Sequence, residues 1–238
     1  MKLIVAALSL LVMVSPALAQ SQADLIRAFA GKWQVYDQRL STGSGRCTFD
    51  FGVAATGGTM PLSASNCAAP FGGAVAWLID GNQLVLDDAQ GKPIIRLGGN
   101  QKRITGTTDA GMPLVIERPG GDGTAIRLQG AYNIAGCYYL GYSQNCAPQS
   151  ELTRPSTDAG PAQIHVEANV ALHSEPRSDA GTVGTVKKGA CLAVSVCTVA
   201  SDGPWCRVAL PSGSAWLRKM TLRQSRWPII TFSNGCSG

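Results

Sequence analysis

Ala74-Val75-Ala76-Trp77-Leu78-Ile79, then Asp80-Gly81-Asn82, then Gln83-Leu84-Val85-Leu86 is an apolar run, a turn and a second apolar run. Asp, Gly and Asn tolerate the backbone angles of a tight connection, so the stretch reads as a β-hairpin. The same rhythm extends both ways. Upstream strands are expected at Lys32–Tyr36, Cys47–Phe51 and Thr59–Leu62, with Gly57-Gly58 as a turn. Downstream they are expected at Ile94–Leu97, Arg103–Thr107 and Leu114–Arg118, with turns at Gln90-Gly91 and Gly98-Gly99-Asn100. Eight short strands at this spacing predict an all-β fold, either a closed antiparallel barrel or a sandwich. Ahead of them, Asp24 is placed to cap a short helix with Leu25, Ile26 and Phe29 on one face and Gly31 as its stop.

The chain has 238 residues, of which 45% are hydrophobic and only 15% charged, with 28 glycines and two histidines. That composition buries a core and excludes a coiled coil. It is also poor in catalytic material. HExxH, G-x-S-x-G and a Walker-type loop are all missing from the sequence. His165 and His173 flank an apparent strand with no local carboxylate pattern to orient either ring, as a general base requires. The chain therefore reads as a non-enzyme without a cofactor or an intrinsic metal site.

Met1-Lys2, the 12-residue apolar run Leu3–Val14, Ser15-Pro16 and Ala17-Leu18-Ala19 form a secretory signal pattern. The run falls short of the roughly 18 to 20 residues that span a bilayer. Residues 1–19 are thus expected to be removed, and the mature protein to be periplasmic or secreted and to begin at Gln20. Loss of Lys2 lowers the formal charge from +5 to +4. That is mild, and no nucleic-acid partner is expected. Export makes the eight cysteines candidates for disulfides. None form a C-x-x-C pair of the kind used by zinc ribbons or redox sites.

A second strand-rich stretch runs from about Ile164 to Leu222. Residues 119–162 between the modules hold Gly120-Gly121-Asp122-Gly123, four tyrosines (Tyr132, Tyr138, Tyr139, Tyr142), Cys137, Cys146 and a Pro-containing linker at Arg154–Pro161. This connector reads as a stapled hairpin covering an open edge, with an aromatic platform for sugar rings as the alternative. Cys197 and Cys206 flank the turn Ser201-Asp202-Gly203-Pro204 and suit a pair. Cys137 with Cys146 would then close the tyrosine loop, and Cys191 with Cys236 would pin the tail, residues 227–238. Other connectivities remain open. Arg218, Lys219, Arg223 and Arg226 form the densest basic cluster, read as a charged strand edge with contact to anionic wall polymers as the alternative.

Residues 20–118 resemble the secreted bacterial inhibitors of serralysin-type zinc metalloproteases, the alkaline-protease inhibitor (Inh) family. The resemblance rests on Gly31-Lys32-Trp33-Gln34, Gly72-Gly73, Ala76-Trp77, Asp80-Gly81-Asn82-Gln83-Leu84-Val85-Leu86 and Asp88-Ala89-Gln90-Gly91. Cys47 and Cys67 stand at about the spacing of that family's single disulfide. The resemblance implies an eight-stranded lipocalin-like barrel filled with side chains, Trp33 and Trp77 among them. It also implies an inhibitory trunk, Gln20, Ser21, Gln22, Ala23 and Asp24, which enters the protease cleft. The free α-amine of Gln20 or Ser21 would ligate the target's zinc, which keeps one position for an incoming donor. Five extended residues span about 17 Å. Family members begin with serine, whereas Gln20 can cyclise and lose its amine lone pair.

Residues 163–226 resemble bacterial SH3-type domains. The match runs through Glu167-Ala168-Asn169-Val170-Ala171-Leu172-His173-Ser174-Glu175-Pro176, Gly184–Gly189, Trp205-Cys206-Arg207-Val208, Gly213 and Trp216-Leu217. It implies a small five-stranded barrel and a cell-wall polymer or peptide as partner. Two alternatives to inhibition follow: a cell-wall or protein-binding adaptor, and a lipocalin-like small-ligand carrier.

Overall fold

The computed structural model describes residues 21–236; the expected signal peptide and Gln20 lie outside them. Eight antiparallel strands follow a short helix α1 (Gln22–Phe29). They are β1 (Gly31–Gln34), β2 (Thr48–Phe51), β3 (Met60–Ser65), β4 (Ala76–Asp80), β5 (Gln83–Asp87), β6 (Pro93–Gly99), β7 (Arg103–Thr107) and β8 (Pro113–Glu117). They close into a barrel in sequence order, with Gln34 opposite Glu117 at the seam. Closure leaves no free edge, which separates a barrel from a sandwich.

Alternation along the strands fills the interior. In β2, Phe49 and Phe51 are buried while Asp50 faces solvent. Phe51 stacks on Trp77 at 5.1 Å between ring centroids, and Trp33, Met60 and Phe71 complete the same cluster. Both indoles satisfy their N–H within the fold: Trp33 donates to Phe29 O at 2.7 Å and Trp77 to Gly52 O at 3.0 Å. Both tryptophans are therefore core, and the barrel interior is a packed solid. Gly106 is required where β7 crosses β6, since a Cβ there would sit 2.2 Å from Arg96 O.

The second half begins with α2 (Thr124–Ala135) and β9 (Tyr139–Leu140). There follow β10 (Ala162–Val166), β11 (Val170–His173), β12 (Thr182–Val186), β13 (Cys191–Ala200), β14 (Gly203–Leu210), β15 (Gly213–Arg218), β16 (Met220–Arg223), β17 (Trp227–Ile230) and β18 (Phe232–Asn234). Five of them, β11 to β15, lie in one sheet that β10 and β18 widen to seven strands. The strands β16, β17 and β9 form a small second sheet, with β9 parallel to β17.

Several expectations change. The helix cap is Ser21 rather than Asp24, because the Ser21 hydroxyl accepts from Asp24 N at 3.2 Å. Gln22, Ala23 and Asp24 consequently form the first helical turn, and the extended trunk is not observed for them. Gly31, at φ +94°, ends the helix as expected. The connector is a helix followed by a short strand rather than a hairpin; Gly123 and Gly136, both left-handed, bracket the helix. Residues 227–236 are no loose tail, since β17 and β18 each take a place in a sheet. His165 does meet a carboxylate: its Nδ1 lies 3.0 Å from Glu167 Oε1. Residues two apart on β10 and its continuation face the same side, which brings them together. Ser233 Oγ donates to that same carboxylate at 2.8 Å, so the carboxylate stands between hydroxyl and imidazole. A nucleophile triad needs the imidazole in the middle.

All four disulfides form: Cys47–Cys67, Cys137–Cys146, Cys191–Cys236 and Cys197–Cys206.

Candidate functional site

Helix α1 lies across one end of the barrel, and its two ends are fixed by opposite charges. At the amino end Ser21 Oγ donates to Asp24 Oδ2 at 2.6 Å, and Arg27 pairs with the same carboxylate one turn on. The Ser21 hydrogen bond, with Arg27 behind it, holds the Asp24 carboxyl below the usual carboxylate range. An anion at this end complements the helix dipole. At the carboxyl end Arg118 donates to Ala28 O and Ala30 O at 2.8 Å each. Its guanidinium also lies 4.2 Å from the Trp33 ring centroid. Burial pushes Arg118 below its ordinary value, yet four backbone carbonyls, Gln101 O and Lys32 O included, accept its hydrogen bonds. Phe29 stacks on Trp33, so the helix is tied to the barrel core by aromatic contact as well.

The amino-terminal turn is left exposed, Ser21 to Asp24 all facing solvent. Beside it, between helix and barrel rim, runs a cleft of about 610 Å³. Leu25 and Phe29 of the helix face Ile79, Leu84, Leu97 and Ile104 across it, with Asn100 and Lys102 at the rim. Of the expected trunk, Ser21, Gln22, Ala23 and Asp24 are thus gathered on one exposed helical turn next to an apolar depression.

The second module docks on the barrel wall. Val115 of β8 packs against Ala200, Trp205 and Trp216. Trp205 and Trp216 are therefore interior rather than a binding groove. At the centre lies a buried ionic cluster. Arg103 reaches Glu117 at 2.7 Å on the barrel side and Asp202 at 2.8 Å on the other. Glu117 also accepts from Ser201 N at 2.6 Å. Burial raises the Glu117 pKa even against Arg103. Burial likewise opposes the Arg103 charge, but Asp202 and Glu117 outweigh it and hold the guanidinium above its ordinary value. Thr105 donates to Glu175 at 2.6 Å and Asn100 to Asp179 at 2.5 Å, extending the contact toward the rim.

Neither Arg118 nor Arg103 stood out in the sequence as more than a residue at a strand end. Both act over separations of 73 to 99 residues, or nearly so, reaching Pro176 and Asp202 in one case and Ala28 to Lys32 in the other. No spacing rule reports contacts at that distance. Among the described residues no group of three or more His, Cys, Asp or Glu could hold a metal ion.

Residues 25–118 match the family model described as protease inhibitor Inh. That family consists of protease inhibitors and not of enzymes. No curated protein matches the chain. Solved structures similar to it include two of lysostaphin. One is the antimicrobial peptidase lysostaphin from Staphylococcus simulans, 12% identical over 91% of this chain and all of that one, with a TM-score of 0.27. The other is an NMR solution structure of lysostaphin, 11% identical over 84% and 94%, with a TM-score of 0.26. At these TM-scores neither likeness bears on the fold or the activity of the chain. The match that carries weight runs from Leu25 within α1 to Arg118 and spans the whole barrel.

Proposed function

We propose that the chain is an exported, stoichiometric inhibitor of serralysin-type zinc metalloproteases, acting through its amino-terminal end. The match of residues 25–118 to a protease inhibitor family carries the reading. The exposed turn at Ser21 to Asp24, beside an apolar cleft and held by a clamped helix, supplies a surface suited to a protease rim. A helix advances about 1.5 Å per residue, so α1 projects about 12 Å where an extended trunk would reach farther. The helix end, rather than a thread of chain, would then approach the protease cleft. The α-amine of Gln20, or of Ser21 after trimming, would provide a nitrogen lone pair for the protease's zinc. An α-amine has a pKa of about 8, so deprotonation near neutral pH costs little. Residues 163–226 complete the proposal as a bacterial SH3-type module that holds the inhibitor rigid.

Titration of the mature protein against a purified serralysin-type protease tests the reading. Inhibition at one-to-one stoichiometry is expected, with loss on deletion of Gln20 to Asp24 and on addition of a few residues ahead of them. Full inhibition by the extended protein would rule out the amine as zinc donor. Failure of the intact mature protein to inhibit would reject the serralysin target.

A further inference from the structure

The basic cluster singled out in the sequence is divided by the fold. Lys219 turns inward and is buried, donating to Asn234 Oδ1 at 2.7 Å. Arg226 stays exposed and stacks on Trp227. Arg218 and Arg223, by contrast, line one cleft of about 850 Å³ between the two sheets of the second module, outside the residues matched by the inhibitor family. The ionisable groups on its wall are Arg218, Arg223, His173 and Tyr142, without an Asp or Glu among them. Volumes of 300 to 1,000 Å³ or so are those of small-ligand sites.

Of the two guanidiniums, Arg223 is held but not neutralised, while Arg218 shares a buried carboxylate with other donors. Arg218 donates to Thr221 Oγ1 at 2.7 Å and to Asp202 Oδ2 at 3.4 Å, a carboxylate whose other oxygen accepts from Arg103 and Trp205. Arg223 donates to Tyr142 O at 3.0 Å, has no carboxylate partner among the described residues, and keeps an unpaired Nε–H. His173 engages Ala180 O through Nδ1 at 3.3 Å, which leaves Nε2 without that partner. The turn that carries Arg223 into the wall is itself strained: Gln224 and Ser225 both adopt left-handed φ, +52° and +56°, without being glycine. Such strain concentrates at ligand sites.

The surrounding charge agrees. Residues 20–162 contain eleven Lys and Arg against eleven Asp and Glu, whereas residues 163–238 contain eight against four. The whole +4 of the mature chain therefore sits in the module that holds the cleft, where it draws anions toward it. Guanidinium forks match carboxylate and phosphate oxygens in pairs. Val170, Leu222 and Ile229 give the cleft an apolar side.

We infer that this cleft is an oxyanion-binding site, taking the carboxylate or phosphate group of a small organic ligand between Arg218 and Arg223. The site is independent of protease inhibition. Calorimetric and NMR titrations of the full mature protein with inorganic phosphate and with succinate test it. Saturable binding is expected, with shifts at the Thr221 amide and the Arg223 Nε–H. Response to phosphate alone or succinate alone names the source of the oxyanion, and mutual competition shows that both share it. Arg223→Gln should weaken binding about tenfold or more while leaving the melting temperature unchanged. Arg226→Gln, outside the cleft wall, should bind as the parent does. Absence of saturable binding by either anion, or equal weakening by both variants, would overturn the inference.

Discussion

The two halves of the molecule bury their strands by different means. The barrel closes on itself around Trp33, Trp77, Phe49, Phe51 and Phe71 and carries a single disulfide, Cys47–Cys67. The second module keeps an open sheet whose own cluster is mostly aliphatic, Val194, Val208, Ala215 and Leu217 with Phe232, while Trp205 and Trp216 pack toward the barrel. It carries Cys191–Cys236 and Cys197–Cys206 and leans one face on the barrel. Aromatic volume and closure stabilise the first; cross-links and docking stabilise the second. A sheet that cannot fill its own core needs one or the other.

Removing the docking cluster should give the largest effect. Arg103→Met leaves Glu117 buried without its cation and Asp202 with Arg218 alone, a loss of about 3–5 kcal/mol. Scanning calorimetry should then resolve two transitions, with the second module melting first. The pH dependence has a definite sign. Burial already raises the Glu117 pKa, and loss of Arg103 raises it further, so the variant's deficit should shrink as pH falls and Glu117 takes a proton. An unsplit transition at the parent temperature would break the contrast between a self-sufficient barrel and a leaning sheet.

Next comes Lys219, buried in the second module at 3.7 Å from Glu151. Burial, opposed by Glu151, pushes its pKa down to about 8 from an unfolded value of 10.5. The unfolded chain then binds the extra proton, so stability rises with pH between those values, by about 3 kcal/mol when complete. Denaturant titrations of the parent and of Lys219→Met at pH 7.5 and pH 10 should differ by that pH-dependent gain. A constant difference would mean that Lys219 is charged throughout.

Removal of Cys197–Cys206 by paired serine substitution should cost about 2–3 kcal/mol, the loop entropy of a nine-residue separation. Loss should pull the second module's melting below that of the barrel. A single transition, lowered as a whole, would show that the modules melt as one unit with Arg103 in place.

Much of this was legible in the sequence, because its signals are local. Asp80-Gly81-Asn82 fixed the β4–β5 turn, and all eight barrel strands fall within a few residues of their expected places. Disulfides at nine residues, Cys197 to Cys206, follow from the turn between them. The α1 cap was misplaced because Ser21 and Asp24 are both good cap residues, and only the side-chain geometry separates them. Helix α2 was missed because Tyr132, Gly130 and Asn133 favour turns or strands and its apolar residues, with Ile126 and Ile134 exposed, follow no helical stripe. The clamps on α1 and between the modules, Arg118 and Arg103, depend on tertiary placement and have no local signature.

Ser21 gives the smallest expected effect on stability and the most direct one on the proposed site. Ser21→Ala removes the hydroxyl that accepts from Asp24 N and donates to its carboxylate. A cap of this kind contributes about 1 kcal/mol locally. Because Arg118 fixes the other end of α1, the global melting temperature should barely move, while amide exchange at Ala23, Asp24 and Leu25 quickens. If the helix end is what meets the protease, inhibition should weaken with that fraying although the barrel is intact. Unchanged inhibition with frayed amides would instead favour an extended amino terminus in the bound state, in which Gln22 to Asp24 unwind before they enter the cleft.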